Sequence, residues 1–172
     1  MNNISYSIPW DKTVSVVTYT ILIVFTVISI LLIYQLFKKP NYFIISALIM
    51  FIAIPLIAYI YAPRGYVINE NGLTIKLGIS SIIIPMSEIT RIYNIPKEQM
   101  NNTNKSFASG GLFGYYGRFE NKTLGSFKMY AGRFDSLIII VKSNGDKIII
   151  SPEKPKSFIN NLNDISTEKE NI

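Results

Sequence analysis

Residues Gly110 to Phe119 read GGLFGYYGRF, four glycines interleaved with four aromatic side chains. Two kinds of chemistry use glycine at such density. A phosphate-binding loop needs it so that backbone N–H groups can approach an anion, and it adds Lys-Ser/Thr at the mouth of a helix. No such pair follows here, and Arg118-Phe119-Glu120-Asn121-Lys122 reads as strand and turn. Two readings remain. In one, the glycines supply positive φ or close packing while the aromatics cover the end of a β-structure. In the other, Phe113, Tyr115 and Tyr116 form an aromatic loop that dips into a membrane interface or grips a partner.

Charge sharpens the second reading. The segment from Lys97 to Arg133 holds six Lys/Arg against two Asp/Glu, a net of +4 in a chain whose formal total is +6. Arg118, Lys122, Lys128 and Arg133, interleaved with aromatics, could pair with anionic headgroups at about 1 kcal/mol per charge. Together with Phe113, Tyr115 and Tyr116 they are the candidate ligand- or lipid-binding residues. The alternative is a solvated face of alternating strands. A nucleic-acid footprint would need a denser basic cluster, so no nucleic-acid partner is expected.

Catalysis finds few parts. The chain has no cysteine and no histidine, which removes thiolate and imidazole nucleophile systems and the commonest metal ligands. Glu88, Glu98, Glu120, Asp135 and Asp146 are scattered among turns without a catalytic spacing. The expectation is a non-enzyme with no cofactor and no metal site.

The elements that must carry these residues come in two kinds. Val14 to Phe37 contains no charged residue and as a helix would reach roughly 36 Å, more than a hydrocarbon core. Lys38-Lys39-Pro40-Asn41 interrupts it, and Tyr42 to Tyr61 forms a second uncharged run with Pro55 inside. The simplest reading is two transmembrane helices, 14–37 and 42–61, behind an N-terminal segment 1–13. A buried core hairpin and a cleavable signal peptide are the competing readings, the second disfavoured by the length of the first run. Trp10, Tyr59 and Tyr61 would anchor one interface, and Tyr34, Phe37 and Tyr42 the other. The cell membrane is the expected location. The Lys/Arg count is close to a tie, so the side that the remainder faces stays open.

Beyond Arg64 the apolar residues come in isoleucine-rich runs of strand length. Asn71-Gly72 and Asn144-Gly145 sit between β-prone runs as hairpin turns. About seven short antiparallel strands are expected, at Gly65–Asn69, Leu73–Leu77, Ile82–Pro85, Ser87–Tyr93, Arg118–Glu120 with Ser126–Ala131, and Leu137–Val141 with Lys147–Ile150. The polar 96–109 stretch reads as an irregular excursion. Ser151-Pro152-Glu153 looks like a helix start, with Phe158, Ile159 and Leu162 on one face. The soluble domain is therefore 62–163, followed by a loose polar tail at 164–172.

Several words in this region resemble bacterial pleckstrin-homology-like domains, which often follow a two-helix membrane hairpin. They are Arg64-Gly65-Tyr66 before the Asn-Gly turn, Ile84-Pro85 followed by Glu88-Ile89, the GGLFGYYGRF run, and Ile150-Ser151-Pro152-Glu153 before Phe158. The resemblance covers roughly residues 62 to 163. It implies an all-β barrel of seven strands capped by a C-terminal helix and little about activity, because this fold hosts lipid, peptide and protein recognition alike. The expected function is a membrane-anchored module that contacts the lipid bilayer or a protein partner. The alternative is a structural subunit bracing a membrane assembly.

Overall fold

The structure, a computed structural model, describes residues 3–101 and 103–170, with side chains at all of these except 105, 107 and 166–170. After a short strand at Ile4–Ser7 come two helices, α1 (Lys12–Lys38) and α2 (Tyr42–Tyr61), joined at the Lys39–Asn41 turn. Each has a side-chain cap for its first orphan amides: Val14 N–H donates to Asp11 Oδ1 at 2.7 Å, and Phe43 N–H to Asn41 Oδ1 at 2.9 Å. Phe25 and Phe51 meet between them with tilted rings, centroids 4.9 Å apart. Otherwise the hairpin is bare, since only Val14 and Thr18 of α1 are buried and no residue of α2 is. Protein packing therefore does not cover it, as the buried-core reading requires.

Among the described residues ten strands form two sheets, two of them, at Ile4–Ser7 and Asn104–Gly110, beyond the spans read from the sequence. The first contains β1 (Ile4–Ser7), β2 (Pro63–Asn69), β3 (Gly72–Leu77) and β4 (Ser81–Pro85), in that order and antiparallel. The second holds β5 (Ile89–Ile95), β6 (Asn104–Gly110), β7 (Tyr115–Asn121), β8 (Gly125–Ala131), β9 (Leu137–Lys142) and β10 (Lys147–Ile150), ordered β5-β9-β10-β8-β7-β6. Its pairs are antiparallel except β10 on β8. Both Asn-Gly turns close hairpins as expected, β2–β3 and β9–β10. The C-terminal helix α3 (Pro155–Glu170) caps the core between the sheets through Phe158 and Leu162. The architecture is thus the strand-and-capping-helix arrangement that the resemblance implies, as a two-sheet sandwich.

The extra strands lie where local pattern is weakest. β1 falls in the N-terminal segment and finds its partner some sixty residues on, Ile4 opposite Ile68 and Tyr6 opposite Tyr66. β6 occupies the last six residues of the polar excursion and is held by its ladder with β7 rather than by apolar alternation. The last helix starts at Pro155, not Pro152. Ser151 is not its cap: its hydroxyl accepts from Gly132 N–H at 2.9 Å, and its N–H donates to the Tyr66 hydroxyl at 3.0 Å. The same helix continues to Glu170, through most of the stretch read as a tail, whose residues 171–172 lie outside the described ones.

Leu137, Ile138, Ile139 and Ile140 of β9 are all fully buried. Ile138 and Ile140 face the first sheet and α3. Leu137 and Ile139 belong to a second core on the opposite face, with Phe119, Phe127, Ile95, Met100 and, from α1, Val14. A strand covered on both faces reads as a continuous apolar run rather than an alternating one, which explains the isoleucine tract.

Candidate functional site

The β6–β7 turn answers the glycine question in backbone terms. Gly111, Gly114 and Gly117 have φ of +133°, +133° and +117°, a region closed to most side chains. A Cβ on Gly114 would also stand 2.9 Å from the Ala131 carbonyl oxygen. Phe113 itself sits at φ +59°, a conformation that costs an L-residue about 1–2 kcal/mol. What holds it there is Thr18 on α1, whose hydroxyl accepts from Phe113 N–H at 2.9 Å and donates to Gly111 O at 3.1 Å. The turn is clamped onto the hairpin.

The aromatics complete this joint. Phe113 lies edge-on to Tyr59 of α2 at 5.5 Å and 6.4 Å from Trp10. The Tyr116 hydroxyl donates to Ala58 O at 2.7 Å, satisfying one of the carbonyls that the last turn of α2 leaves open. Tyr115 points to the other face of β7, donates to Asp11 Oδ2 at 3.2 Å and stands edge-on to Phe134 at 4.4 Å. All three rings are at least nine-tenths buried, so they sit inside the joint between hairpin and sheets and not on an exposed tip.

Burial first, and the Asp11 charge second, push the Tyr115 hydroxyl up from 10.0 to about 12. A raised folded-state value means that Tyr115 contributes stability fully below the pH where an unfolded tyrosine ionises, about 10, and loses it as pH rises toward 12. Alkaline unfolding followed by circular dichroism is expected to start near pH 10, with a shallower decline for Tyr115→Phe. An identical decline for the variant would refute this account.

The cations separate into three groups. Arg118 and Lys128 are directly opposite on β7 and β8, both exposed, on the face that looks toward the first sheet. Like charges so placed repel, and neither has an ion-pair partner among the described residues. Both line a cleft of about 220 Å³ whose other wall is Ile82, Ile83 and Ile84 of β4. Lys142 and Lys147 reach the same cleft but are engaged, Lys142 with Glu88 at 2.8 Å and Lys147 with Leu124 O at 2.6 Å. Lys122 is exposed in the β7–β8 turn. Arg133 lies in the β8–β9 loop, donating to Pro152 O at 3.0 Å and facing Asp135 at 3.5 Å. Of the seven candidate residues, the fold gathers Arg118 and Lys128 at one cleft, puts Phe113, Tyr115 and Tyr116 in the joint, and sets Lys122 and Arg133 elsewhere.

Sequence reading missed a second, larger cleft of about 790 Å³ between α2 and the inner face of β6, β7 and β8. Tyr130 lines both clefts. It also missed Ile79, 77% exposed in the β3–β4 turn, where Gly78 N–H donates to Ile60 O at 2.9 Å and so sets that apolar tip beside the end of α2. A lone isoleucine between glycine and serine gives no signal of its own. The smaller cleft also carries Ser126 and Asp146, the latter accepting from Asn144 at 3.0 Å; together the clefts offer charge, hydroxyls and apolar wall.

Residues 64–165 match the protein family described as the bacterial PH domain. No curated protein and no solved structure matches the chain.

Proposed function

The chain belongs to the bacterial PH domain family, a fold of binding modules, and from that premise we propose that it is a non-catalytic module anchored in the cell membrane by α1 and α2, recognising anionic headgroups through Arg118 and Lys128. The observation that carries this reading is the unpartnered cation pair on the groove side of β7 and β8. Two like charges held opposite each other are favoured by an anion placed between them.

Distances support it. Arg118 lies two residues beyond Tyr116, whose hydroxyl meets the last turn of α2, a rise of about 7 Å along the strand. With α2 ending at the edge of the hydrocarbon, that offset falls within the polar layer, roughly 5–7 Å deep on each side of a bilayer. Ile79 would dip beside it. The helices suit the role: α1 has 27 residues, about 40 Å against a core of about 30 Å. Its surplus is the two turns that carry Val14 and Thr18 into the domain.

The test uses the full chain in nanodiscs of phosphatidylcholine with and without phosphatidylglycerol, followed by amide exchange. Phosphatidylglycerol is expected to slow exchange in β7 and β8, and added salt to reverse this. Arg118→Gln with Lys128→Gln should weaken the effect about thirtyfold, from about 1 kcal/mol per charge. Equal exchange in both lipids would overturn the reading.

A bracing subunit is the second reading, favoured by the rigidity of the joint: Thr18, Tyr116 and the Arg64 guanidinium stacked 3.7 Å over Tyr59 all lock domain to hairpin. A strictly monomeric particle without co-purifying protein in detergent would count against it.

A further inference from the structure

We propose that the two clefts form one groove that takes a single anionic amphiphile from the bilayer, its acyl chain along α2 and its anionic group between Arg118 and Lys128. The inference rests on the headgroup reading above and adds to it the apolar half of the ligand.

Ile54, Ile57, Ala58 and Tyr61 line the larger cleft from α2. They fall at positions i, i+3, i+4 and i+7, a single helix face. That stripe is about 10 Å long, and it faces a sheet without closing on it: Ile54 and Ile57 remain 43% and 53% exposed. The volume, about 790 Å³, lies within the roughly 300–1,000 Å³ range of small-molecule sites. An apolar slot beside a bilayer fills from its richest apolar source, the acyl chains.

Charge complementarity fixes the other end. The smaller cleft adjoins the slot at Tyr130 and presents Arg118 and Lys128. The Tyr130 hydroxyl has no hydrogen-bond partner among the described residues, although the ring is half-buried. It thus offers a polar atom at the junction where an amphiphile changes from chain to headgroup. The order of the wall, apolar stripe, free hydroxyl, cation pair, follows the order of groups along a phospholipid.

A short-chain probe in an uncharged maltoside detergent tests this on the full chain, with stoichiometry from native mass spectrometry and affinity from titration. Dioctanoyl-phosphatidylglycerol is expected to bind one-to-one, at least about tenfold more tightly than dioctanoyl-phosphatidylcholine or sn-glycerol 3-phosphate. Ile57→Trp, which fills the slot from an exposed position, should weaken it about tenfold, and Arg118→Gln with Lys128→Gln about thirtyfold. Glycerol phosphate bound as well as the lipid, with Ile57→Trp silent, would overturn the groove and leave the headgroup reading standing. Binding blocked by Ile57→Trp but indifferent to headgroup charge would overturn the headgroup reading and with it the anionic occupant. No lipid binding at all would overturn both and leave a protein as the occupant.

Discussion

A chain lacking residues 3–8 is expected to lose about 5 kcal/mol of domain stability. That is enough to unfold a domain whose whole margin is roughly 5–15 kcal/mol. β1 supplies Tyr6, 8% exposed, which packs edge-on to Phe158 at 5.0 Å, a burial worth about 1.5–3 kcal/mol. The Tyr6 hydroxyl accepts from Asn161 at 2.6 Å and lies 3.3 Å from the Ser157 hydroxyl, while Ser7 donates to Glu153 at 2.6 Å. Each such bond adds about 1 kcal/mol. Deletion also leaves β2 as an unpaired edge with Ile68 beneath it, an arrangement that invites pairing with other chains. Amide exchange in β2 and limited proteolysis of the detergent-solubilised protein check this, and a peptide spanning Ile4 to Pro9 should restore protection in trans. β2 amides protected equally in both forms would show that β1 is dispensable. The family match begins at residue 64, so the strand that completes the first sheet comes from outside the matched span.

The second large effect concerns the joint. Valine has the shape of threonine without its hydroxyl, so Thr18→Val leaves the Gly111 carbonyl and the Phe113 amide unpaired in a site where Thr18 is 1% exposed. At about 1–3 kcal/mol for each orphaned group, the loss is roughly 2–6 kcal/mol, and the left-handed Phe113 loses the bond that holds it. Thr18→Ser keeps both bonds and drops one methyl, a change of about 1 kcal/mol. Exchange at residues 110–114 is expected to accelerate strongly in the valine variant and little in the serine one. Fluorescence of Trp10, the single tryptophan, should report the loosening, because Phe113 packs against it. Equal behaviour of the two variants would mean that packing, not hydrogen bonding, holds the turn.

How much of this was legible beforehand follows from the range of each interaction. Asn71-Gly72 and Asn144-Gly145 specify their hairpins within four residues, and both turned out as read. Ser151-Pro152 gave a false helix start because the Ser151 hydroxyl has a better use: it pairs with Gly132 N–H, a donor nineteen residues away. Tyr115 and Tyr116 are neighbours in sequence, yet strand alternation sends one to Asp11 and the other to Ala58. The functional reading of the glycine-aromatic run could not separate them, whereas the backbone reading of its glycines needed only the sequence.

The sequence by itself determined the apolar hairpin, the strand-rich domain, its capping helix and the basic character of the 97–133 segment. These rest on composition and turn chemistry within windows of a few residues. Tertiary structure alone decided that β1 joins β2, that Arg118 faces Lys128 while Arg133 is tied to Pro152, and that α2 and the inner sheet flank a slot which shares Tyr130 with the cleft of those two cations. The reason is physical: register, strand partners and clefts are set by contacts between segments far apart in the chain, and no local pattern encodes which distant backbone will satisfy a given amide.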